Sequence, residues 1–166
     1  MITKEIWQSG KFRELPEFAT QEGYYDEVRK FIDKYGKPTT KDMLLVRSGS
    51  KEETTRNYGA SWTTNINVCR KLAKYTNLSD TIYVIFVPAG TMAVHIPPKD
   101  MFEEEYVLDM EGKADSVEII AKHTGEWDWT TDFETDKDFY NWKLMPTNIG
   151  YDAMAGRMKL LRKLCE

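Results

Sequence analysis

The sequence lacks the long apolar stretch that a membrane-spanning helix needs, which is about 20 residues. Its longest candidate, residues 82–89, contains Tyr83 and reaches Pro88 within seven positions. The N-terminus also lacks the basic start and apolar run of a secretory signal. We therefore expect a soluble protein in a cytoplasmic setting with no membrane partner.

Cysteine is scarce, and basic charge is not in excess. Cys69 and Cys165 are the two cysteines, and no CxxC pair or histidine cluster with zinc spacing accompanies them. A disulfide framework and a structural zinc site are therefore not expected. Lys and Arg total 23 against 27 Asp and Glu, for a net charge of −4. This balance argues against a strongly basic nucleic-acid-binding protein, although a local basic patch is compatible with it.

The remaining composition is that of a folded domain. The chain has 166 residues, of which 41% are hydrophobic and 13% aromatic, with no repeat or Ser/Gly linker. A chain of this length buries roughly two-thirds of the surface that its unfolded form exposes. We therefore expect one domain over residues 1–166.

Apolar spacing predicts helices at both ends and strands in the middle. Residues 25–35 have the 3–4 spacing of an amphipathic helix ending at Gly36, and a second helix begins after Thr64 or Asn65. The other predicted elements are strands at 43–46, 81–87, 91–96, 106–108 and 117–121, and helices at 139–142 and 151–164. The Pro88-Ala-Gly90 turn predicts that the strands at 81–87 and 91–96 form a hairpin-like pair. The fold class is therefore α+β.

Three polar clusters interrupt this β-rich centre where loops meet the predicted elements. Arg47 ends a strand, Ser61-Trp62-Thr63 precedes a helix, and the run Glu103 to Glu105 leads into a strand. Each cluster alone has an ordinary explanation as a strand terminus, a helix cap or a solvated acidic face. Their order, together with the matching strand and helix context, favours a common site.

In this order the clusters resemble the motifs of the ADP-ribosyltransferase family, in its arginine, serine-threonine-serine, glutamate-x-glutamate branch of bacterial toxins and phage-encoded enzymes. The resemblance covers residues 43–109, and the glycine expected directly after the arginine comes one place late, at Gly49. It implies a small split β-sandwich core with flanking N- and C-terminal helices, and NAD as substrate.

The resemblance also implies roles for individual residues. Arg47, Ser61 and Thr63 would hold NAD, and Glu105 would promote the loss of nicotinamide. Glu103 would orient the acceptor, and Tyr58 is a candidate for stacking on nicotinamide. A guanidinium suits phosphate, and a carboxylate stabilises the positive charge that develops on the ribose when the glycosidic bond breaks.

Several alternatives stay open at this point. Glu104 could be the catalytic glutamate, although strand alternation favours Glu105, which precedes Tyr106. The acceptor is expected to be a protein arginine, with a nucleic-acid base second, and NAD hydrolysis alone is also compatible. A catalytically silent nucleotide-binding or partner-binding module of the same fold, or an adaptor protein, are the competing classes.

The small size predicts an intracellular effector, such as a phage or toxin–antitoxin protein, rather than a toxin that enters cells unaided. Such an effector would act in the host cytoplasm and could have a neutralising antitoxin partner. The basic amphipathic pattern of residues 155–164 is typical of a helix that docks on its own domain, with contact to nucleic acid as the minority interpretation.

Overall fold

The computed structural model of the chain describes residues 2–49, 58–75, 79–98, 104–129 and 141–146. Within these ranges the protein is a mixed α+β structure with two antiparallel four-stranded sheets and three α-helices. The helices are α1 (Lys4–Gln8), α2 (Gln21–Tyr35) and α3 (Ile66–Tyr75). None of these helices is long and apolar enough to cross a bilayer.

The eight strands of the described ranges divide between the two sheets. In chain order they are β1 (Lys37–Pro38), β2 (Met43–Ser48), β3 (Ser61–Trp62), β4 (Thr81–Val87), β5 (Met92–Ile96), β6 (Glu105–Val107), β7 (Val117–His123) and β8 (Trp142–Leu144). Sheet A has the order β1-β5-β6-β3, and sheet B has the order β2-β4-β7-β8.

The layers follow from the alternation of side chains along the strands. Val94, Ile96 and Val107 of sheet A pack against α1 and α2. The opposite face of sheet A packs against sheet B, where Leu45 and Ile85 are buried. The outer face of sheet B, including Val46 and Val84, packs against α3. The two sheets are thus stacked, with helices on both outer faces.

Three of the predicted elements, which are α2, α3 and β4, are confirmed. The predicted helix at 25–35 lies within α2, which begins earlier because the Thr20 hydroxyl accepts a hydrogen bond from the Gly23 amide. Strand β4 has the predicted bounds. At the start of α3, the Asn65 side-chain oxygen accepts from the Asn67 amide at 3.0 Å, as expected of a helix cap.

The predicted hairpin of residues 81–87 and 91–96 is wrong. Strand β4 pairs with β2 and β7 in sheet B, which leaves no free edge for β5. After the turn, the Gly90 amide donates to the Thr39 carbonyl at 2.8 Å, and the Thr39 amide donates to the Thr91 carbonyl at 2.9 Å. These bonds direct β5 to β1, so the chain crosses from sheet B to sheet A.

The predicted helix at 139–142 is also wrong where the structure describes it. Trp142 begins β8 and pairs with His123 of β7. The pairing of β8 with β7 satisfies hydrogen-bonding groups of the β7 backbone. A helix at this position would leave those groups unpaired at the edge of the sheet. The predicted helix at 151–164 lies outside the described residues.

Leu45→Ala tests the packing between the two sheets. Leu45 has no exposed surface, whereas Leu15 is 38% exposed. We expect Leu45→Ala to lower the free energy of unfolding by about 2 to 5 kcal/mol, because it leaves a cavity between the sheets. Leu15→Ala is the matched control and should cost below about 1 kcal/mol. Urea denaturation measures both, and equal losses would contradict the stacked-sheet core.

Candidate active site

The candidate site lies where the two sheets touch. The Val46 amide donates to the Thr63 carbonyl at 2.8 Å, and the Thr63 amide donates to the Val46 carbonyl at 3.0 Å. Arg47 follows Val46 in β2, and Ser61 lies two residues before Thr63 in β3. The backbone pair therefore brings the first two predicted motifs side by side.

A cleft of about 310 Å³ opens beside this pair. Its walls include Arg47, Ser61, Thr63 and Glu105, four of the residues predicted to form the site. Residues of α3 and of the N-terminal segment line most of the remainder. This volume is at the lower end of the range of ligand sites, which is about 300 to 1,000 Å³.

Glu105 is held by two hydrogen bonds that both end on Oε2. The Ser61 hydroxyl donates at 3.1 Å, and the indole N–H of Trp7 donates at 3.1 Å. The same indole N–H also lies 3.0 Å from the Ser61 hydroxyl oxygen. Oε1 has no hydrogen-bond partner within the described part of the chain, so it can accept from a ligand hydroxyl.

Trp7 connects the helical layer to Glu105. Its side chain is 1% exposed and stacks with Phe12 at 4.1 Å and with Phe31 at 5.1 Å between ring centroids. Packing on two rings leaves the indole few alternative rotamers. Packing in the core therefore fixes the orientation of the indole, and its N–H points toward Glu105.

Burial raises the pKa of Glu105 above its ordinary value. Desolvation is the largest cause, and it disfavours the charged carboxylate. The hydrogen bonds from Ser61 and Trp7 oppose this shift, and the charges of Arg13 and Arg47 oppose it further. A carboxylate with a raised pKa in a cleft is typical of a functional group.

Arg47 extends from β2 across the cleft. Its Nη1 donates to the Ser61 carbonyl at 2.9 Å. A Cβ on Gly59 would overlap the Arg47 guanidinium, so the glycine leaves room for the guanidinium in this position. Arg13 lines the same cleft from the N-terminal segment, which places two guanidinium groups near Glu105.

Thr63 also lines the cleft. Its hydroxyl accepts a hydrogen bond from the Asn65 amide at 3.1 Å, at the start of α3. The side chain is buried, so its position is set by the turn that leads into the helix. Thr63 therefore shapes the floor of the cleft, and its hydroxyl proton can still be donated to a ligand.

The remaining site predictions are placed differently. Tyr58 is buried between the sheets, where its ring meets Tyr83 edge-on at 5.0 Å, and it is not one of the described residues that line the cleft. Glu103 lies outside the described residues. Glu104 lines the cleft, but its carboxylate lies 3.4 Å from His95 Nε2. Of the two glutamates in this run that the structure describes, Glu105 is the one that accepts a hydrogen bond from Ser61.

The sequence did not predict that the N-terminal segment would line the cleft. Trp7 and Arg13 belong to the N-terminal segment, far outside the region of family resemblance. Trp7 is 98 residues from Glu105 in the chain. Nothing in the sequence of this segment indicated that one of its residues would contact a glutamate.

Comparisons of the chain with protein-family models, curated proteins and solved structures find no significant match. Within the described residues, no group of three or more His, Cys, Asp or Glu side chains could hold a metal ion. The chemistry of the cleft is therefore inferred from its own arginine, hydroxyl and carboxylate groups.

Trp7→Phe tests how Glu105 is held. It removes the indole N–H but keeps an aromatic ring, and loss of a donor to the charged form should raise the pKa of Glu105 further. Carbon-detected NMR titration of the glutamate carboxyls measures this pKa. Trp142→Phe is the matched control, since Trp142 is buried in the cluster beneath α3 and should leave Glu105 unchanged.

The raised pKa also predicts the sign of a stability effect. The folded state binds the proton of Glu105 more tightly than the unfolded state does. The contribution of Glu105 to the free energy of unfolding should therefore fall as the pH rises through its folded pKa. Glu105→Gln should lack this fall in urea denaturation at several pH values. A wild-type carboxyl titrating at or below the ordinary value would contradict the burial argument.

Proposed function

We propose that the protein is an NAD-dependent mono-ADP-ribosyltransferase. The observation that carries the proposal is the convergence of Arg47, Ser61 and Glu105 in one cleft, in the chain order of the motifs that the sequence resembles. The two stacked antiparallel sheets are compatible with the split β-sandwich that this resemblance implies.

Glu105 provides the central chemistry. When the bond between nicotinamide and ribose breaks, the electron pair leaves with nicotinamide, and the ribose gains oxocarbenium character. A buried carboxylate that accepts a hydrogen bond from a ribose hydroxyl stabilises this charge as it develops. Oε1 is available for that bond because Ser61 and Trp7 both bond to Oε2.

The arginines suit the phosphates of the dinucleotide. A guanidinium presents a planar set of N–H donors that matches phosphate oxygens. Arg47 is already oriented by the Ser61 carbonyl, and Arg13 adds a second positive charge to the same cleft. The proposed role of Arg47 is to hold the pyrophosphate so that the ribose lies against Glu105.

Transfer completes the reaction. A nitrogen nucleophile of the acceptor attacks the ribose carbon that nicotinamide has left, and the nitrogen then loses one proton. The resemblance favours a protein arginine as acceptor and a nucleobase amino group second. Glu103 is the proposed residue for orienting the acceptor and receiving the proton.

Glu105→Gln tests the enzymatic role directly. We expect it to reduce nicotinamide release by about 100-fold or more, because the amide cannot supply the negative charge. Release from labelled NAD, and transfer of label in a cell extract, are measured side by side. Protease and nuclease treatment then identifies the class of acceptor.

Glu104→Gln is the matched control, since it changes the neighbouring carboxylate in the same way. It should retain most nicotinamide release, because Glu104 is directed to His95. Greater loss with Glu104→Gln than with Glu105→Gln would reverse the assignment of the two glutamates. Binding of NAD without any turnover by the folded wild type would instead support a silent nucleotide-binding module.

Gly59→Ala tests the placement of Arg47. The added methyl group would collide with the guanidinium and displace it from the cleft. We expect a KM for NAD raised by roughly tenfold, the loss typical of a charged hydrogen bond. Arg47→Ala should give a similar KM, and the double variant should be no worse than Arg47→Ala alone. Additive losses would show that Gly59 acts independently of Arg47.

A further inference from the structure

A second cavity, of about 380 Å³, is lined by His95, whose Nε2 lies 3.4 Å from the Glu104 carboxylate. It is lined from α1, from the end of α2, from β1 and the turn after it, and from β5 and β6. Three lysines and three ring side chains define this groove: Lys4, Tyr35, Lys37, Lys41, His95 and Tyr106. We call it the lysine groove.

Positive charge is concentrated in the lysine groove. Among the described residues that line it there is no aspartate or glutamate. None of its three ammonium groups makes an ion pair with a carboxylate in the described part of the chain. The chain as a whole carries −4. A concave surface with one sign of charge concentrates the local field, so the groove attracts anions although the chain as a whole is acidic.

Flat ring surfaces accompany this charge. His95 and Tyr106 are opposite each other on β5 and β6, and their rings stack at 4.6 Å with an angle of 16°. The His95 side chain is 48% exposed. This exposure leaves the imidazole accessible to a second planar ring.

Contacts at the rim separate the groove from the cleft. Glu104 lies beside His95, and the side-chain amide of Gln8 donates to the Pro97 carbonyl at 3.2 Å. Glu104 steadies the imidazole from the cleft side, whereas the lysines line the groove. A ligand with phosphates and planar rings would place its phosphates near the lysines and a ring on the His95–Tyr106 stack.

We propose that the lysine groove binds single-stranded nucleic acid. Lys4, Lys37 and Lys41 contact backbone phosphates, and one base stacks on the exposed face of His95. Single strands are bound in this way by basic grooves with aromatic platforms, without a sequence-specific pattern of base hydrogen bonds. An acidic peptide would use the lysines but not the ring platform. This binding goes beyond the proposed reaction and does not depend on it.

Salt-dependent binding of a labelled oligothymidylate of about 12 nucleotides tests the proposal. Fluorescence anisotropy gives the affinity between roughly 25 and 200 mM salt. The double variant Lys37→Gln/Lys41→Gln removes two phosphate contacts. Its slope of log K against log salt should be shallower by about 1.4, since each contact to a single strand contributes about 0.7. The affinity at low salt should fall by about tenfold or more.

Lys122→Gln/Lys143→Gln is the matched control. These lysines are exposed on neighbouring strands of sheet B, and the variant changes the net charge by the same amount. It should bind as the wild type does. An equal loss with this control, or no binding by the wild type at the lowest salt, would overturn the proposal.

Two further measurements separate the competing explanations. A polyglutamate peptide of matched charge should compete poorly, and competition as strong as that of the oligonucleotide would replace the proposal with an acidic protein partner. Nicotinamide release by Lys37→Gln/Lys41→Gln should equal that of the wild type, because neither lysine lines the cleft. Failure of oligonucleotide binding would therefore leave the proposed reaction standing, and failure of NAD cleavage would leave the groove proposal standing.

Discussion

The candidate site depends on the two backbone hydrogen bonds between Val46 and Thr63, where sheet B touches the end of β3. Because Arg47 follows Val46 and Ser61 precedes Thr63, this pair sets the distance between the guanidinium and the serine. The Arg47 side chain adds a further hydrogen bond between the two sheets, to the Ser61 carbonyl. Without the backbone pair, the Arg47 side chain would be the remaining described hydrogen-bond link between the two motifs, which belong to separate sheets.

Glu105 shows how burial and polar contact combine at such a junction. Desolvation raises its pKa, and donors from Ser61 and Trp7 limit the rise. A fully solvated carboxylate would be ionised but weakly effective, because water screens its charge. A buried carboxylate without donors would have its pKa raised further, which disfavours the charged form. The observed arrangement is intermediate, and Trp7 contributes to it from the helical layer.

The sequence predicted local structure better than it predicted which sheet each strand joins. Strand β4 and helix α2 follow from apolar spacing, because burial of one face is a local requirement. The predicted hairpin rested on the Pro88-Ala-Gly90 turn between two strands. It failed because the partners of β4 and β5 are decided by the edges that other strands leave open. Trp142 lies in a run, Tyr140 to Leu144, in which apolar and polar residues alternate, and this two-residue period indicates the strand that the helix prediction missed.

For the site, the sequence by itself determined the chemical groups, their order along the chain and the face of β6 on which Glu105 lies. These follow from residue type and from the two-residue period of a strand. Only the tertiary structure decided that Trp7 and Arg13 join the cleft and that Tyr58 does not line it. The reason is that Trp7 meets Ser61 and Glu105 across 54 and 98 residues of chain, and contacts at that separation are set by how whole layers pack.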